Sequence, residues 1–109
     1  MMFLAIVLTA LPAMRVQAAG QNMNIYCIYL GEPDNNAGDS VLVESNGQYL
    51  LMDLGSADGY PYIKAFLQER GVTELSLYIS HTHADHTGGL KDGEGYDSLL
   101  GDFQVDHVY

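Results

Sequence analysis

The 109-residue sequence is short of cysteine, of positive charge and of long apolar runs. Cys27 is its one cysteine, so no disulfide can form within the chain. The flanking Asn24-Ile25-Tyr26-Cys27-Ile28-Tyr29-Leu30 reads as a buried strand. Cys27 is therefore expected to be a core side chain, not a metal ligand or redox group. Lys and Arg number 4 against 14 Asp and Glu, for a formal charge of −10. There is no basic stripe, which weighs against a non-specific nucleic-acid binder. The apolar run Phe3 to Leu11 falls far short of the roughly 20 residues that span a bilayer, so no stable transmembrane anchor is predicted. No repeat or low-complexity segment is present, and no second domain is visible.

What is present begins with that run. Pro12 ends it, and Val16-Gln17-Ala18 supplies small residues of the kind a signal peptidase reads. Residues 1–18 are expected to be a cleaved secretory signal, giving a secreted or extracytoplasmic protein. No Lys or Arg precedes the run and Arg15 follows it, against the usual charge order. Without a signal, the chain would be cytoplasmic. Residues 19–109 then form one small domain with a modest core.

Short strands and turn residues organise the rest. Ile25–Leu30 is a first strand, Gly31 to Asp39 a loop, and Ser40–Glu44 a second strand. Asn46-Gly47 is a hairpin turn into a third strand, Gln48–Asp53. Pro61 starts a helix with Ile63, Phe66 and Leu67 on one face, and Gly71 stops it. Leu75–Ser80 is a fourth strand, running straight into His81. Gly93-Glu94-Gly95 is a break, Tyr96–Leu100 a helical turn and Val105–Tyr109 a fifth strand. The order predicts an α/β fold with a mixed sheet and a site at strand ends, where open α/β sheets form their crevices.

The chemistry concentrates in His81-Thr82-His83-Ala84-Asp85-His86-Thr87-Gly88-Gly89. Neutral imidazole and carboxylate are ligands that zinc prefers over hydroxyl or backbone oxygen. His81 and His83, two apart at a strand end, can converge on one ion. Asp85 and His86 point elsewhere and can begin a second site. Two divalent ions, most simply Zn²⁺, roughly 3.5–4 Å apart acidify a shared water towards neutrality. Asp85 is then both a ligand and the catalytic carboxylate that orients the hydroxide. Gly88 and Gly89 are expected to supply backbone freedom and a side-chain-free approach. Asp53, at another strand end, is a candidate supporting carboxylate for a ligand imidazole, or simply a turn residue before Gly55. His107 is read as a strand or surface histidine.

At His81, His83, Asp85, His86 and Gly88 the chain resembles the metallo-β-lactamase fold superfamily, whose signature is His-x-His-x-Asp-His with a trailing glycine. Leu50-Leu51-Met52-Asp53-Leu54-Gly55 resembles that family's strand ending in Asp-x-Gly. Gly38-Asp39-Ser40 with Val41-Leu42-Val43, and Gly88-Gly89-Leu90 with the later Val-Asp-x-Val-Tyr strand, are similar to the ComEC-like competence subgroup. The resemblance implies an αββα sandwich, two zinc ions and hydrolysis by metal-bound hydroxide. It also implies further ligands in a second half: a histidine, a bridging aspartate and a last histidine. Catalytic zinc takes three protein ligands plus water, and two pairs fall short of two such sets. The chain is therefore expected to be an N-terminal fragment, the incomplete domain 19–109, binding metal weakly and inactive by itself. A homodimer completing the site is disfavoured by the unpaired sheet edge it would leave.

Three functions follow as expectations. The first is a metallohydrolase acting on an ester, phosphodiester or amide, in a small-molecule or polymer substrate. The second is a nuclease or phosphodiesterase of the competence type, which the acidic composition does not support. The third is a non-catalytic metal-binding module. Fold resemblance does not choose a substrate among them.

Overall fold

The computed structural model describes residues 22–31, 38–90 and 97–109. The signal segment, most of the 31–39 loop, Lys91 and the Gly93-Glu94-Gly95 break lie outside the described residues. Five strands form one sheet in the order of the chain: β1 (Asn24–Cys27), β2 (Val41–Ser45), β3 (Gln48–Met52), β4 (Glu74–Tyr78) and β5 (Gln104–Val108). The β1–β2 and β2–β3 pairs are antiparallel, whereas β3–β4 and β4–β5 are parallel. The sheet is thus mixed. Helix α1 (Tyr60–Glu69) links β3 to β4. Between β4 and β5 lie the short α2 (Ala84–Thr87), a 3-10 turn (Gly88–Leu90) and α3 (Leu99–Asp102).

Local sequence sets these elements. Asn46 and Gly47 both take positive φ (52° and 76°), the backbone of a type I′ turn, whose twist matches the strands it joins. Pro61 lies in the first turn of α1, where no amide hydrogen is needed. At the other end Gly71 turns left-handed, its N–H reaching Gln68 O and that of Val72 reaching Leu67 O. That pair of bonds closes the helix and folds Val72 back into the core. Helix α3 starts later than the sequence suggested, because the Ser98 hydroxyl caps it by accepting from Gly101 N–H.

Tyr26, Leu42, Leu51 and Leu77 are neighbours across four strands and share one face of the sheet. Leu42, Leu51 and Leu77 are fully buried there with Ile63 and Leu67 of α1 and with Leu99 of α3. Cys27, Val41, Met52 and Tyr78 make the next row and point the opposite way. Among the described residues nothing covers that second face, and Ile25 is 61% exposed. This corrects the expectation for Cys27, which is exposed. The first strand is an edge strand, and the cysteine alternates away from the face that the helices bury. It is also shorter than expected, for Ile28 and Leu30 enter the core beyond its last paired residue. No described helix is long and apolar enough to cross a membrane.

The carboxyl ends of β1, β3 and β4 lie side by side, since Cys27, Met52 and Tyr78 fall in one row. The residues that leave those ends build the site.

Candidate metal centre

Immediately after β3, Asp53 adopts a left-handed backbone (φ 61°). A non-glycine residue there costs of order 1 kcal/mol and persists only where its surroundings over-determine it. They do so here. Asp53 N–H donates to Tyr78 O (2.8 Å), and Asp53 O accepts from the buried Ser40 hydroxyl (2.9 Å). The next two amides donate to His86 O (2.9 Å) and Asp39 O (3.1 Å). The turn after β3 therefore ties the Gly38-Asp39-Ser40 segment, β4 and α2 together.

Reversing the chain at Asp53 aims its carboxylate at Ser80 and His86. Oδ1 accepts from Ser80 N–H (2.7 Å). Oδ2 accepts from the Ser80 hydroxyl (2.6 Å) and lies 2.9 Å from His86 Nδ1. The Asp53 and His86 side chains are 10% and 13% exposed, so these bonds are sheltered. Burial pushes the Asp53 pKa up, but hydrogen bonds from the Ser80 side chain and amide, and from His86, outweigh it and hold it below the ordinary carboxylate value. A carboxylate whose folded pKa is depressed stabilises the fold above its unfolded pKa, and that contribution is lost as pH falls through the folded one. Acid unfolding of the parent is therefore expected to include an Asp53 component. In Asp53→Asn, stability measured by urea titration from neutral pH downward is expected to fall less steeply.

His83 occupies the N-cap position of α2, with an extended backbone, and its carbonyl accepts from His86 N–H, Thr87 N–H and the Thr87 hydroxyl. That turn swings Asp85 and His86 back over His81. Ligand atoms of His81, Asp85 and His86 all lie within 4.8 Å of one another. His86 Nε2 is 3.5 Å from Asp85 Oδ2. Two donors on one tetrahedral zinc, with bonds of about 2.1 Å, sit roughly 3.4 Å apart, so the pair fits a shared ion. The donor set, two imidazoles and a carboxylate, is of the type catalytic zinc uses.

Where the spacing suggested a two-and-two partition, the structure brings three of the four donors together. His81 joins Asp85 and His86, its ring centroid 4.0 Å from that of His86. His83 lies outside that trio with its ring 4.7 Å from His81. The short helix starting at Ala84 causes this, because it folds Asp85 and His86 towards the strand end and not away from it. His107 stands on β5 with its ring stacked against Tyr109.

Of the two roles expected of the glycines, the structure shows the side-chain-free approach and not, at Gly88, the backbone freedom. Gly88 has an ordinary helical backbone (φ −59°), so it supplies no unusual conformation. What it supplies is space: a Cβ there would strike Ser56 and Ala57, and Gly88 N–H bonds Gly55 O at 2.9 Å. A Cβ on Gly89 would press 2.6 Å from the Tyr60 ring. Tyr60 in turn donates to Asp102 Oδ2 (2.8 Å), so the start of α1, the 3-10 turn and α3 are packed together behind the site. Two residues that sequence reasoning did not assign to the site belong to its frame. Ser80 carries no signal beyond standing next to His81. Gly38, noted only within a family-like tripeptide, lies against the Asp85 backbone.

No family model matches the sequence. A curated relative, the atrochrysone carboxyl ACP thioesterase of Emericella nidulans, is 33% identical over 67 residues, covering 58% of this chain and 21% of that protein. Among solved structures, the chain is similar to MEM-A1, a subclass B3 metallo-β-lactamase from a soil metagenome library, with a TM-score of 0.54 at 23% identity. That match covers 76% of this chain and 28% of the other. SMB-1, another metallo-β-lactamase, gives 0.52 at 18% identity, over 76% of this chain and 32% of that one. The fold is that of these metallo-β-lactamases, and the match spans less than a third of the length of either.

Proposed function

We propose that this chain supplies the first ligands of a metal-dependent hydrolase acting on a carboxylic-acid derivative, a thioester or ester before an amide. The observation that carries the reading is the His81–Asp85–His86 trio at the carboxyl ends of the strands, its donors within 4.8 Å of one another and the Asp85–His86 pair at the spacing of a shared ion. Likeness to a thioesterase at 33% identity supports the choice of acyl substrate over phosphodiester. The charge pattern agrees. Among the described residues the only Lys and Arg are Lys64, engaged by Asp97 and Asp102, and Arg70, stacked over Phe66 and Tyr26. Neither forms the cationic track that a polyanionic strand requires.

His81, Asp85 and His86 would hold one divalent ion, most simply zinc. His83, beside His81, is the ligand left for a second ion, which would need donors beyond those described. When bound, a divalent ion of this kind lowers the pKa of water towards neutrality and polarises a carbonyl. Asp85 would orient that water, while Asp53 holds the His86 ring and the close packing at Gly88 keeps α2 against the strand ends. The reading implies that this chain binds zinc but turns over little substrate by itself, because the described residues offer a second ion too few donors.

Zinc stoichiometry by atomic spectroscopy, on the parent and His83→Ala, tests the ligand assignment. The variant is expected to lose bound zinc under conditions that load the parent beyond one ion, or to bind more weakly. Unchanged stoichiometry and affinity would refute the place given to His83. Release of thiol from an acyl-thioester, followed with and without a chelator, tests the chemistry. Vigorous zinc-dependent turnover by the 109 residues alone would overturn the ligand count.

A further inference from the structure

Asp53 reaches two histidines, one directly and one through Ser80. His86 Nδ1 is 2.9 Å from Asp53 Oδ2. The Ser80 hydroxyl donates to the same oxygen at 2.6 Å while standing 2.9 Å from His81 Nδ1. Proton counting settles the direction of each bond. An ionised carboxylate only accepts, so the hydrogen between Asp53 and His86 belongs to Nδ1 of the imidazole. A serine hydroxyl has one hydrogen, and Asp53 takes it. The Ser80 oxygen can then only accept from His81, whose Nδ1 must carry the hydrogen. In a neutral ring this arrangement leaves Nε2 of each histidine bare. That of His86 faces Asp85 Oδ2 at 3.5 Å, and the His81 ring stands 4.0 Å from that of His86, centroid to centroid.

We infer that Ser80 is a positioning residue that extends the Asp53 carboxylate to His81, so that one carboxylate sets the ring tautomer of both histidines before any ion arrives. The inference deepens the metal reading above and rests on it for its purpose, though not for its geometry. A ligand histidine is usually oriented through its second nitrogen, and such a partner is worth roughly ten- to a hundredfold in metal affinity. Here the outer partners of two ligands are one connected unit. Ser80 N–H holds Asp53 Oδ1 at 2.7 Å, so the serine clamps the carboxylate with its backbone while relaying it with its side chain.

The test reads tautomers directly. Imidazole nitrogen correlation spectra of the full ¹⁵N-labelled chain, metal-free and at a pH where the rings are neutral, should show the Nδ1–H form for His81 and His86. In Ser80→Ala, His81 is expected to shift to the Nε2–H form or a mixture while His86 keeps Nδ1–H. Ser80→Thr restores the hydroxyl and is expected to restore the His81 tautomer. Zinc titration should show a ten- to hundredfold weaker affinity for Ser80→Ala and recovery to within about threefold for Ser80→Thr. An Nε2–H His81 in the parent overturns the inference. So does an Nδ1–H His81 that persists in folded Ser80→Ala. Should that variant lose its folded amide spectrum, the parent and Ser80→Thr spectra still decide. Zinc that fails to bind the parent would instead remove the metal reading and leave the tautomer result standing.

Discussion

Replacing Asp85 by alanine is expected to weaken zinc binding more than a hundredfold, the largest loss among the single substitutions at the site. Three features place it above the others. Its carboxylate belongs to the trio with His81 and His86, and Oδ2 lies 3.5 Å from His86 Nε2. It is the one anionic donor of that trio, so removing it also removes the charge that offsets the cation. Its side chain is 30% exposed, so water does not screen that interaction fully. Losing an outer hydrogen-bond partner of a ligand typically costs ten- to a hundredfold, and losing a ligand exceeds that. Asp39→Ala serves as the comparison, because the exposed Asp39 takes part in the described frame through its backbone carbonyl. It changes net charge equally and is expected to leave affinity within about threefold, since exposed charges interact weakly at a distance. Isothermal titration of both variants checks this. Equal losses would assign the effect to general electrostatics and not to ligation.

Gly38→Ala is expected to destabilise the chain by about 2–5 kcal/mol, and to disturb the metal group with it. Two physical terms add. Gly38 has φ +73°, where a side chain costs about 1–2 kcal/mol. A Cβ there would also overlap the backbone carbonyl of Asp85, which cannot rotate aside as a side chain could. Overpacking of this kind costs roughly 1–3 kcal/mol. Gly47→Ala separates the terms. Its φ is nearly the same, +76°, but nothing lies within 4 Å of the added carbon. That variant is expected to lose only about 1 kcal/mol and to bind zinc as the parent does. Urea unfolding of the two, compared with their zinc affinities, reads the contact with Asp85 as the difference. Equal stabilities would mean that Gly38 and Asp85 are not in contact.

Much of the architecture was legible from local signals. Asn46-Gly47 marked the hairpin because few residues tolerate two consecutive positive φ values. Pro61 and Gly71 bracketed the helix for equally local reasons, and the alternation of Val41-Leu42-Val43 marked a strand. The density of imidazole and carboxylate from His81 to His86 singled out the site before any fold was known. Placement was harder. Alternation says that Cys27 and Ile28 face opposite ways, but it does not say which face a helix will cover. The spacing of four ligands within six residues did not reveal that α2 would turn Asp85 and His86 onto His81.

The sequence by itself determined the strands, the turns, the helix and the donor set of the candidate site, since each depends on the φ preferences and donor atoms of neighbouring residues. Only the tertiary structure decided how those donors are held. The left-handed Asp53 clamps Ser80 27 positions away and His86 33 positions away. Gly38 and Gly88 are glycines because distant backbone passes too close for a side chain. Such contacts join residues that are remote in the chain, and no local preference encodes them. They exist only once the sheet has brought its strand ends together.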